Sequence, residues 1–382
     1  MLTGKGLGVV AATVAASVGA VTLHYPELGV LAAGGAVALM AGLGWVARPP
    51  RLEVRRTVEP VRVERGRTAL GLLLIRNQNR IALSPTVAVE RCGPTSVAVD
   101  IPRLAHQAAK RVTYPLPTDR RALVQIGPLT VTRRDPLGLW RTSQRTGSIE
   151  QLWVHPVVHA VHGSPTGRTR SLDGPDTDQV PQGSITFHAL REYVIGDDLR
   201  HIHWRSSARF DQLMVREHVD TTLPQVTLLL DTSEHSFDPD HFEEAVEAVA
   251  SVAVAATRNR YPVRIVTTSG RSAGARGIHA DTQYLLDLLS EIDLTAEGTL
   301  RDVIPLLASE RRTDVLMVVT GAPEPDDLVA ISAFIRRFDR GVVGIVTGHP
   351  EEVPVPVSAN TVVLRASTGR GFVDAWNASM GR

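Results

Sequence analysis

The segment from Gly196 to Glu217, GDDLRHIHWRSSARFDQLMVRE, carries the densest set of charged and reactive side chains in this chain. Carboxylates, guanidinium groups, two imidazoles and an indole stand close together there. Three kinds of chemistry would use such a set: metal ligation by His201 and His203, acid–base catalysis by the carboxylates, or a network of ion pairs and stacked rings.

Local geometry favours the network. We predict a short helix with Asp197 as its N-cap, and on a helix His201 and His203 do not face each other. No nucleophile with a partnered base can be named beside the carboxylates or His203. The arginines can form bidentate pairs with neighbouring acids and stack on aromatic faces. We therefore predict a signature that either joins domains internally or contacts a partner, made of Arg191, Glu192, Tyr193, Gly196, Asp197, Asp198, Arg200, Trp204 and Arg209.

The composition excludes several classes of function. The 41 Lys and Arg residues balance 40 Asp and Glu residues, and a net charge of +1 gives no general basis for nucleic-acid binding. The single cysteine, Cys92, excludes an intramolecular disulfide framework and a cysteine-based structural zinc site. We expect Cys92 to be a small apolar or turn residue rather than a nucleophile. A length of 382 residues suits two or three domains.

Two uncharged apolar stretches lie near the start of the sequence, from Gly6 to Leu23 and from Leu28 to Ala47. Each approaches the ~20 residues that a helix needs to cross a bilayer. The linker HYPE contains the helix breaker Pro26, so the pattern predicts a transmembrane hairpin over residues 1–48. The glycines expected to let the two helix backbones approach closely are Gly29, Gly34, Gly35, Gly42 and Gly44.

Flanking charge predicts the orientation of this hairpin. Lys5 precedes the first span, the linker has neither Lys nor Arg, and the second span is followed by Arg48, Arg51, Arg55 and Arg56. The positive-inside tendency places both ends and the rest of the chain in the cytoplasm, in a plasma-membrane protein with two spans. The alternative is a signal peptide cut near Ala20, which would move the large domain outside the cell.

Residues 49–160 predict a small all-β, sandwich-like domain, because apolar and charged residues alternate in short runs separated by Gly, Pro and Asn. Within it we expect DPLGLWR, Asp135 to Arg141, to form a turn with Leu137, Leu139 and Trp140 packed inward. Residues 161–185 are polar and rich in Gly, Pro, Ser and Thr, which predicts a flexible loop. The charged signature segment follows over residues 186–222.

Residues 223–382 alternate predicted strands and helices. Strands made almost wholly of Val, Leu and Ile are typical of a parallel sheet covered on both faces, which predicts a doubly wound α/β domain. Ligands of such sheets sit at the carboxyl ends of the strands, so the informative loops are DTSEHS, TTSGRS, EGTLRD and TGAPEPDD. No glycine-rich phosphate loop follows the first strand, which argues against a nucleotide-binding Rossmann or P-loop domain.

The loop DTSEHS after a buried first strand resembles the von Willebrand factor A fold. The adhesion site of that fold holds a metal ion with Asp-x-Ser-x-Ser, a Thr from a later loop and an Asp after a further strand. Asp231, Ser233 and Thr299 match, whereas His235 and Gly321 replace the last Ser and the second Asp. The resemblance implies a degenerate site without a firm cofactor: either weakened Mg²⁺ binding or a loop in which Asp231 accepts hydrogen bonds from backbone amides.

The stretch LREYVIGDDLRHIHWRSSARFDQLMVRE resembles the signature of the family labelled domain of unknown function 58, which precedes a von Willebrand A-like domain. The DPLGL sequence of the β-rich region and the two N-terminal spans are similar to that family as well. His203 stands where the family commonly has an acid, which counts against a fixed catalytic acid there. The resemblance implies a bacterial membrane protein without established enzymatic activity, acting beside MoxR-type AAA+ ATPases.

These observations predict a multidomain protein with a two-helix transmembrane hairpin, a β-sandwich-like domain and a von Willebrand A-like α/β domain at residues 223–382. We expect a non-enzymatic, membrane-anchored adaptor or scaffold that acts with a MoxR-type AAA+ ATPase in assembling or maturing protein complexes. Its predicted partners are proteins and the lipid bilayer, without nucleic acid. One alternative is an extracytoplasmic, metal-dependent adhesion domain; a weaker one is a hydrolase that uses Glu192, Asp197 or His203.

Overall fold

The computed structural model describes residues 1–47, 51–79, 82–163, 186–192, 204, 207, 212–219, 224–275, 281–308, 314–356 and 359–380. The chain divides into two compact units, Met1–His155 and Pro156–Arg382. The first unit holds the two N-terminal helices together with the β-rich region, and the second holds the α/β region. Most of the predicted loop 161–185 and of the signature segment 186–222 lies outside the described residues.

The first unit begins with two helices, α1 (Gly4–Leu23) and α2 (Pro26–Val46), which pack side by side. The Thr3 hydroxyl caps α1 by accepting a hydrogen bond from the amide of Gly6 at 3.0 Å, and Pro26 occupies the first turn of α2. Both helices are long and apolar enough to cross a bilayer. The structure therefore contains the helical hairpin that the sequence predicts.

The glycines of α2 differ in what they contact. A Cβ added at Gly35 would clash with the Thr13 hydroxyl of α1, so this position needs glycine for the close approach of the helices. At Gly34 and Gly44 an added Cβ would meet nothing within 4 Å, so the prediction of close helix contact is wrong there. Gly42 instead faces the β-rich region, where its Cβ would lie 2.8 Å from the Trp140 ring.

In the described part of the first unit, nine strands form two sheets of order β1-β3-β6 and β2-β9-β7-β4-β5, with β8 also paired to β7. All pairs are antiparallel except β2 with β9. Buried and exposed residues alternate along strands such as β3, which faces the core with one side. The strands are β1 Leu52–Glu59, β2 Arg62–Glu64, β3 Leu70–Asn77, β4 Thr86–Cys92, β5 Thr95–Ile101, β6 Ala109–Pro115, β7 Ala122–Arg134, β8 Arg141–Thr146 and β9 Glu150–His155.

An ion pair between Arg56 of β1 and Glu90 of β4 is buried between the two sheets. The Arg56 Nη2 atom lies 2.8 and 3.0 Å from the two carboxylate oxygens, and Arg56 also donates to the carbonyl of Ser148. Burial raises the pKa of Glu90, and the Arg56 guanidinium opposes that shift. Arg56 is thus a core residue, so the prediction that it contributes to the positive charge flanking the hairpin is wrong.

Nearby Cys92 is also buried, which raises the pKa of its thiol to about 11.

The turn that we call the DPLGLW turn, Asp135–Trp140, joins β7 to β8 and contacts the helices. Its Asp135 carboxylate accepts hydrogen bonds from the amides of Leu137 at 3.0 Å and Trp140 at 2.5 Å, and Gly138 has a φ of +68°. Leu139 is buried and Trp140 half-buried, as predicted. Leu137 is 58% exposed, so its predicted inward packing is wrong, because the capped turn directs it to the surface.

The second unit contains a two-stranded antiparallel ribbon and a six-stranded sheet of order β14-β13-β12-β15-β16-β17. Within the larger sheet only β14, at the edge, runs antiparallel to its neighbour. The ribbon strands are β10 Thr186–Glu192 and β11 Met214–Val219; those of the sheet are β12 Val226–Leu230, β13 Val263–Thr267, β14 Ser272–Ala275, β15 Val315–Thr320, β16 Arg340–Val346 and β17 Thr361–Ala366.

Helices cover both faces of this sheet, as a doubly wound fold requires. One face packs on residues of α3, α4 and α7, the other on residues of α5 and α6. Asp238 caps α3 through the amides of Asp240 and His241, with Pro239 at the first position as predicted. The helices are α3 Pro239–Arg258, α4 Thr282–Glu291, α5 Leu300–Ala308, α6 Pro325–Ile335 and α7 Gly369–Met380.

Glu90→Gln should destabilise the protein by about 3–5 kcal/mol, because it leaves the Arg56 guanidinium buried without its counter-charge. Replacing both partners, as Arg56→Met with Glu90→Leu, should cost less than Glu90→Gln alone. Urea unfolding of the full chain in detergent, followed by circular dichroism, measures both effects. The control is Arg55→Met, whose ion pair with Glu53 is exposed and should matter little. Equal losses for the single and the double change would contradict a coupled pair.

Candidate functional site

The candidate site lies at the carboxyl ends of three adjacent strands, β13, β12 and β15, where their loops meet around the carboxylate of Asp231. Asp231 directly follows β12 and is 1% exposed. One of its oxygens, Oδ2, accepts a hydrogen bond from the Thr320 hydroxyl at 2.7 Å. The other, Oδ1, accepts from the amide of Ser233 at 3.0 Å and from the Thr268 hydroxyl at 3.4 Å. A single buried carboxylate thus connects three strand ends.

Burial dominates the electrostatics of Asp231. Desolvation raises the pKa of its carboxyl, and hydrogen bonds from Thr320, Ser236, Ser233 and Thr268 oppose that rise without reversing it. Sequence reasoning identified Asp231 and its loop but missed Thr268 and Thr320. Their signal is the presence of a threonine at the end of each flanking strand, in loops already expected to meet at this edge.

The two other residues of the metal-site pattern have different surroundings. Ser233 is buried, and its hydroxyl accepts a hydrogen bond from the amide of His235 at 3.2 Å. Thr299 is exposed, and both its amide and its hydroxyl donate to the Asp302 carboxylate, at 2.9 and 3.0 Å. Those hydrogen bonds lower the pKa of Asp302. The oxygens that the pattern would offer to a cation are therefore engaged within the protein.

Gly321 occupies the position where the metal-site pattern has its second Asp. A Cβ added there would clash with the carbonyl of Ser236, and the amide of Ala322 donates to that carbonyl at 2.8 Å. The loop after β15 thus packs on the loop after β12 where the missing side chain would stand. Among the described residues, no group of three His, Cys, Asp or Glu side chains could hold a metal ion. The degenerate Mg²⁺ site of Asp231, Ser233 and Thr299 stays a prediction.

Further carboxylates surround this centre. Asp327 is buried at the start of α6, and desolvation raises its pKa, while the Arg301 guanidinium, 3.4 Å away, opposes that rise. Exposed acids lie in the segments that reach the same edge of the sheet. We call them the acidic rim: Glu234, Glu297, Asp302, Glu324, Asp326, Glu351 and Glu352. Sequence reasoning did not predict this rim, because its members come from four separate loops that only the folded sheet brings to one edge.

The predicted signature is described only in part. Arg191 and Glu192 belong to β10, where their Cα partners in β11 are Val215 and Met214. Trp204 is helical and 66% exposed. Six members lie outside the described residues: Tyr193, Gly196, Asp197, Asp198, Arg200 and Arg209.

Gly321→Ala should destabilise the chain by about 1–3 kcal/mol, because the added Cβ meets backbone that cannot move without disturbing the Asp231 loop. The matched control is Gly348→Ala, where the added Cβ would lie 3.5 Å from the His241 ring, an ordinary contact. Thermal unfolding, monitored by tryptophan fluorescence, compares the two variants with the parent. Equal midpoints for Gly321→Ala and the parent would contradict the tight loop contact.

Comparison with known proteins matches part of the chain to one family. Residues 189–371 match the model of the family described as protein of unknown function DUF58. None of the curated proteins matches the chain.

One similar solved structure is the CARDB domain of a Pyrococcus furiosus protein in complex with di-metal ions, which is 16% identical to this chain. The alignment covers 28% of this chain and 88% of that chain, with a TM-score of 0.22. The alkylpurine DNA glycosylase AlkC of Pseudomonas fluorescens is 11% identical over 34% of this chain and 40% of its own, with a TM-score of 0.19. Scores this low establish no shared fold. The match assigns residues 189–371, slightly less than half of the chain, to the family described as protein of unknown function DUF58.

Proposed function

We propose that this protein is a membrane-anchored adaptor whose C-terminal unit is a cytoplasmic, von Willebrand A-like interaction domain, and that its partner is a MoxR-type AAA+ ATPase engaged in assembling or maturing protein complexes. The observation that carries the proposal is the acidic rim, an exposed, like-charged surface at the edge of the sheet where doubly wound domains bind their ligands. The ATPase and the assembly task rest on the family resemblance.

The likeness to the von Willebrand A fold is supported by the position of its matching residues. Asp231 and Ser233 directly follow β12, which lies inside the six-stranded sheet, and Thr299 directly precedes α5. Gly321 and His235 replace two expected ligands, which favours recognition of a protein surface over recognition through a shared metal ion. The hydrogen-bonded Asp231 then fixes the ends of β12 and β15, which lead to Glu234, Glu324 and Asp326 of the acidic rim.

The charge of the acidic rim defines the chemistry of the partner. Arg301 offsets part of it through Asp326 and Asp327, with N–O distances of 3.7 and 3.4 Å, and Arg365 lies 3.7 Å from Glu351. Most of the acidic rim still faces solvent. Complementary charge steers association and excludes wrong partners, so the expected partner presents Lys and Arg side chains. Elsewhere in the second unit, Trp204 is exposed, and tryptophan is a residue type enriched at protein interfaces.

Binding rather than catalysis also agrees with the hydroxyl groups at this edge. The Ser233 hydroxyl accepts from the amide of His235, the Thr268 hydroxyl bonds to the Thr232 hydroxyl and to Asp231, and the Thr320 hydroxyl donates to Asp231. In the part of the chain that the structure describes, none of these three hydroxyls pairs with an imidazole. Imidazole is the base that most often activates a hydroxyl nucleophile. We therefore propose a non-enzymatic role.

Membrane anchoring is supported by the helical hairpin and by the charges around it. Lys5 lies in the first turn of α1, and Arg51 and Arg55 follow α2, all exposed. The linker between the helices, His24 and Tyr25, has neither Lys nor Arg, and Glu27 follows it in the first turn of α2. Arg56 does not contribute, because it is buried in the β-rich region. The remaining charges still favour a cytoplasmic location for both ends of the hairpin.

A reporter fused after Arg382 should be active only in its cytoplasmic form, because the positive charges flanking the hairpin retain both of its ends inside. Paired alkaline phosphatase and green fluorescent protein fusions measure the location, and a third fusion placed in the linker at Tyr25 should report the opposite side. An external C-terminus, together with micromolar Mg²⁺ binding in isothermal titration, would instead support the extracytoplasmic metal-dependent adhesion alternative.

Reversing two charges of the acidic rim, Glu324→Lys with Asp326→Lys, should weaken association with the MoxR-type ATPase by about tenfold or more, because complementary charge becomes repulsion. Crosslinking and pull-down of the full chain from membranes, quantified against the parent, measures the change. Asp339→Lys with Asp374→Lys is the matched control, since both residues are exposed acids outside the acidic rim. Equal recovery of the ATPase by the parent and by the rim variant would rule out this surface.

A further inference from the structure

We propose that the junction between the helical hairpin and the β-rich region binds the acidic headgroups of phospholipids. This inference rests on the membrane anchoring proposed above and adds a ligand and a site to it. Three features of the first unit carry it: the depth at which the DPLGLW turn meets the helices, a pair of arginines without an acidic partner, and exposed apolar side chains beside them.

The DPLGLW turn is attached to both helices near the same end of the hairpin. The amide of Thr3, which caps α1, donates to the carbonyl of Leu139 at 2.9 Å. The Trp140 Nε1 group donates to the carbonyl of Leu39 in α2 at 3.0 Å. At 1.5 Å per residue, Leu39 lies roughly 10 Å from the end of α2 at Val46. A hairpin that spans the bilayer therefore holds this turn within about 10 Å of the membrane surface at which α1 begins and α2 ends.

Two arginines stand directly opposite each other next to this turn. Arg134 ends β7 and Arg141 begins β8, and they are Cα partners in the antiparallel register. Both are exposed, and among the described residues neither has a carboxylate partner. Like charges at directly opposed positions destabilise a sheet. An anion bound between the two guanidinium groups would remove that cost and accept bidentate hydrogen bonds.

The surrounding charges increase the positive potential. Lys5 is exposed in the first turn of α1, two residues after Thr3, whose amide donates to the carbonyl of Leu139. Arg133 lies over the ring of Trp45, 5.2 Å from its centroid. The acid closest in sequence, Asp135, is buried, and its carboxylate accepts two backbone hydrogen bonds inside the turn. Because Asp135 is buried and bonded within the turn, it does not act as a counter-ion for Arg134 and Arg141.

The apolar side chains identify the source of the anion as a bilayer. Leu137 at the tip of the turn is 58% exposed and Trp45 near the end of α2 is 49% exposed. Trp rings and apolar side chains beside basic residues are typical of the membrane interface, where acyl chains and anionic headgroups meet. A free phosphate would satisfy the arginines and leave Leu137 and Trp45 in water. A phospholipid with an acidic headgroup satisfies both.

The test uses the full chain in vesicles of equal parts phosphatidylcholine and phosphatidylglycerol, with the brominated form of one lipid or the other at the same mole fraction. Bromine quenches nearby tryptophan fluorescence, so Trp45 and Trp140 report which lipid is beside them. The expected result is stronger quenching by brominated phosphatidylglycerol, corresponding to roughly fivefold enrichment for each arginine. A variant with Trp45→Phe and Trp140→Phe identifies the share of quenching that comes from these two rings.

Arg134→Gln with Arg141→Gln should abolish the preference for phosphatidylglycerol and leave quenching by phosphatidylcholine unchanged. Arg134→Lys with Arg141→Lys should retain most of the preference. The control is Arg91→Gln with Arg120→Gln, two exposed arginines toward the opposite end of β7, which should retain all of it. Circular dichroism verifies that each variant is folded.

Equal quenching of the parent by both brominated lipids would overturn the headgroup site while leaving the membrane anchor intact. A preference that survives Arg134→Gln with Arg141→Gln would also overturn it. Loss of the preference on adding millimolar glycerol phosphate would assign the arginines to a free anion and overturn the lipid assignment. No quenching by either lipid would contradict the membrane anchor itself, and with it this inference.

Discussion

The carboxylate of Asp231 is the interaction on which the functional edge of the second unit depends. It is buried at the end of an inner strand and bonds to hydroxyl groups from the strands on both sides. Burying a carboxyl costs free energy, and these hydrogen bonds offset part of that cost. Because the three loops share one acceptor, a change in any of them disturbs the others. Two of the segments that contribute to the acidic rim, those that follow β12 and β15, begin at strand ends bonded to this carboxylate.

The same arrangement explains why the metal-site pattern is incomplete in this chain. Gly321 allows the loop after β15 to lie directly on the carbonyl of Ser236, a contact that any larger side chain would prevent. At the position where the pattern has its second Asp, this chain has a loop-to-loop contact. Asp231 keeps its position but bonds to Thr320, Thr268 and Ser233. The resemblance identifies the residues at the edge, and their chemistry depends on which partners the folded loops supply.

Sequence patterns predicted the elements better than the contacts among them. Apolar periodicity was enough for the hairpin and for the buried strands, since burial itself imposes that pattern. It failed for β8, Arg141–Thr146, whose sequence RTSQRT is polar and which forms by pairing with β7. It missed Thr268 and Thr320 as partners of Asp231, because the strand order that brings them together is not encoded in local periodicity. Leu137 was misplaced because hydrophobicity alone ignores the Asp135 cap and the left-handed Gly138.

Although the net charge is only +1, the protein carries two surfaces whose local charges have opposite signs. In the first unit Arg134 and Arg141 face each other across two strands, and in the second unit the acidic rim gathers carboxylates from separate loops. Each arrangement costs stability in the isolated protein, because like charges repel in the folded state and separate when the chain unfolds. A bound partner of opposite charge removes that cost. The basic pair beside apolar helices suits an anionic bilayer, and the acidic edge of a rigid sheet suits a basic protein, so each surface has the charge that its proposed role requires.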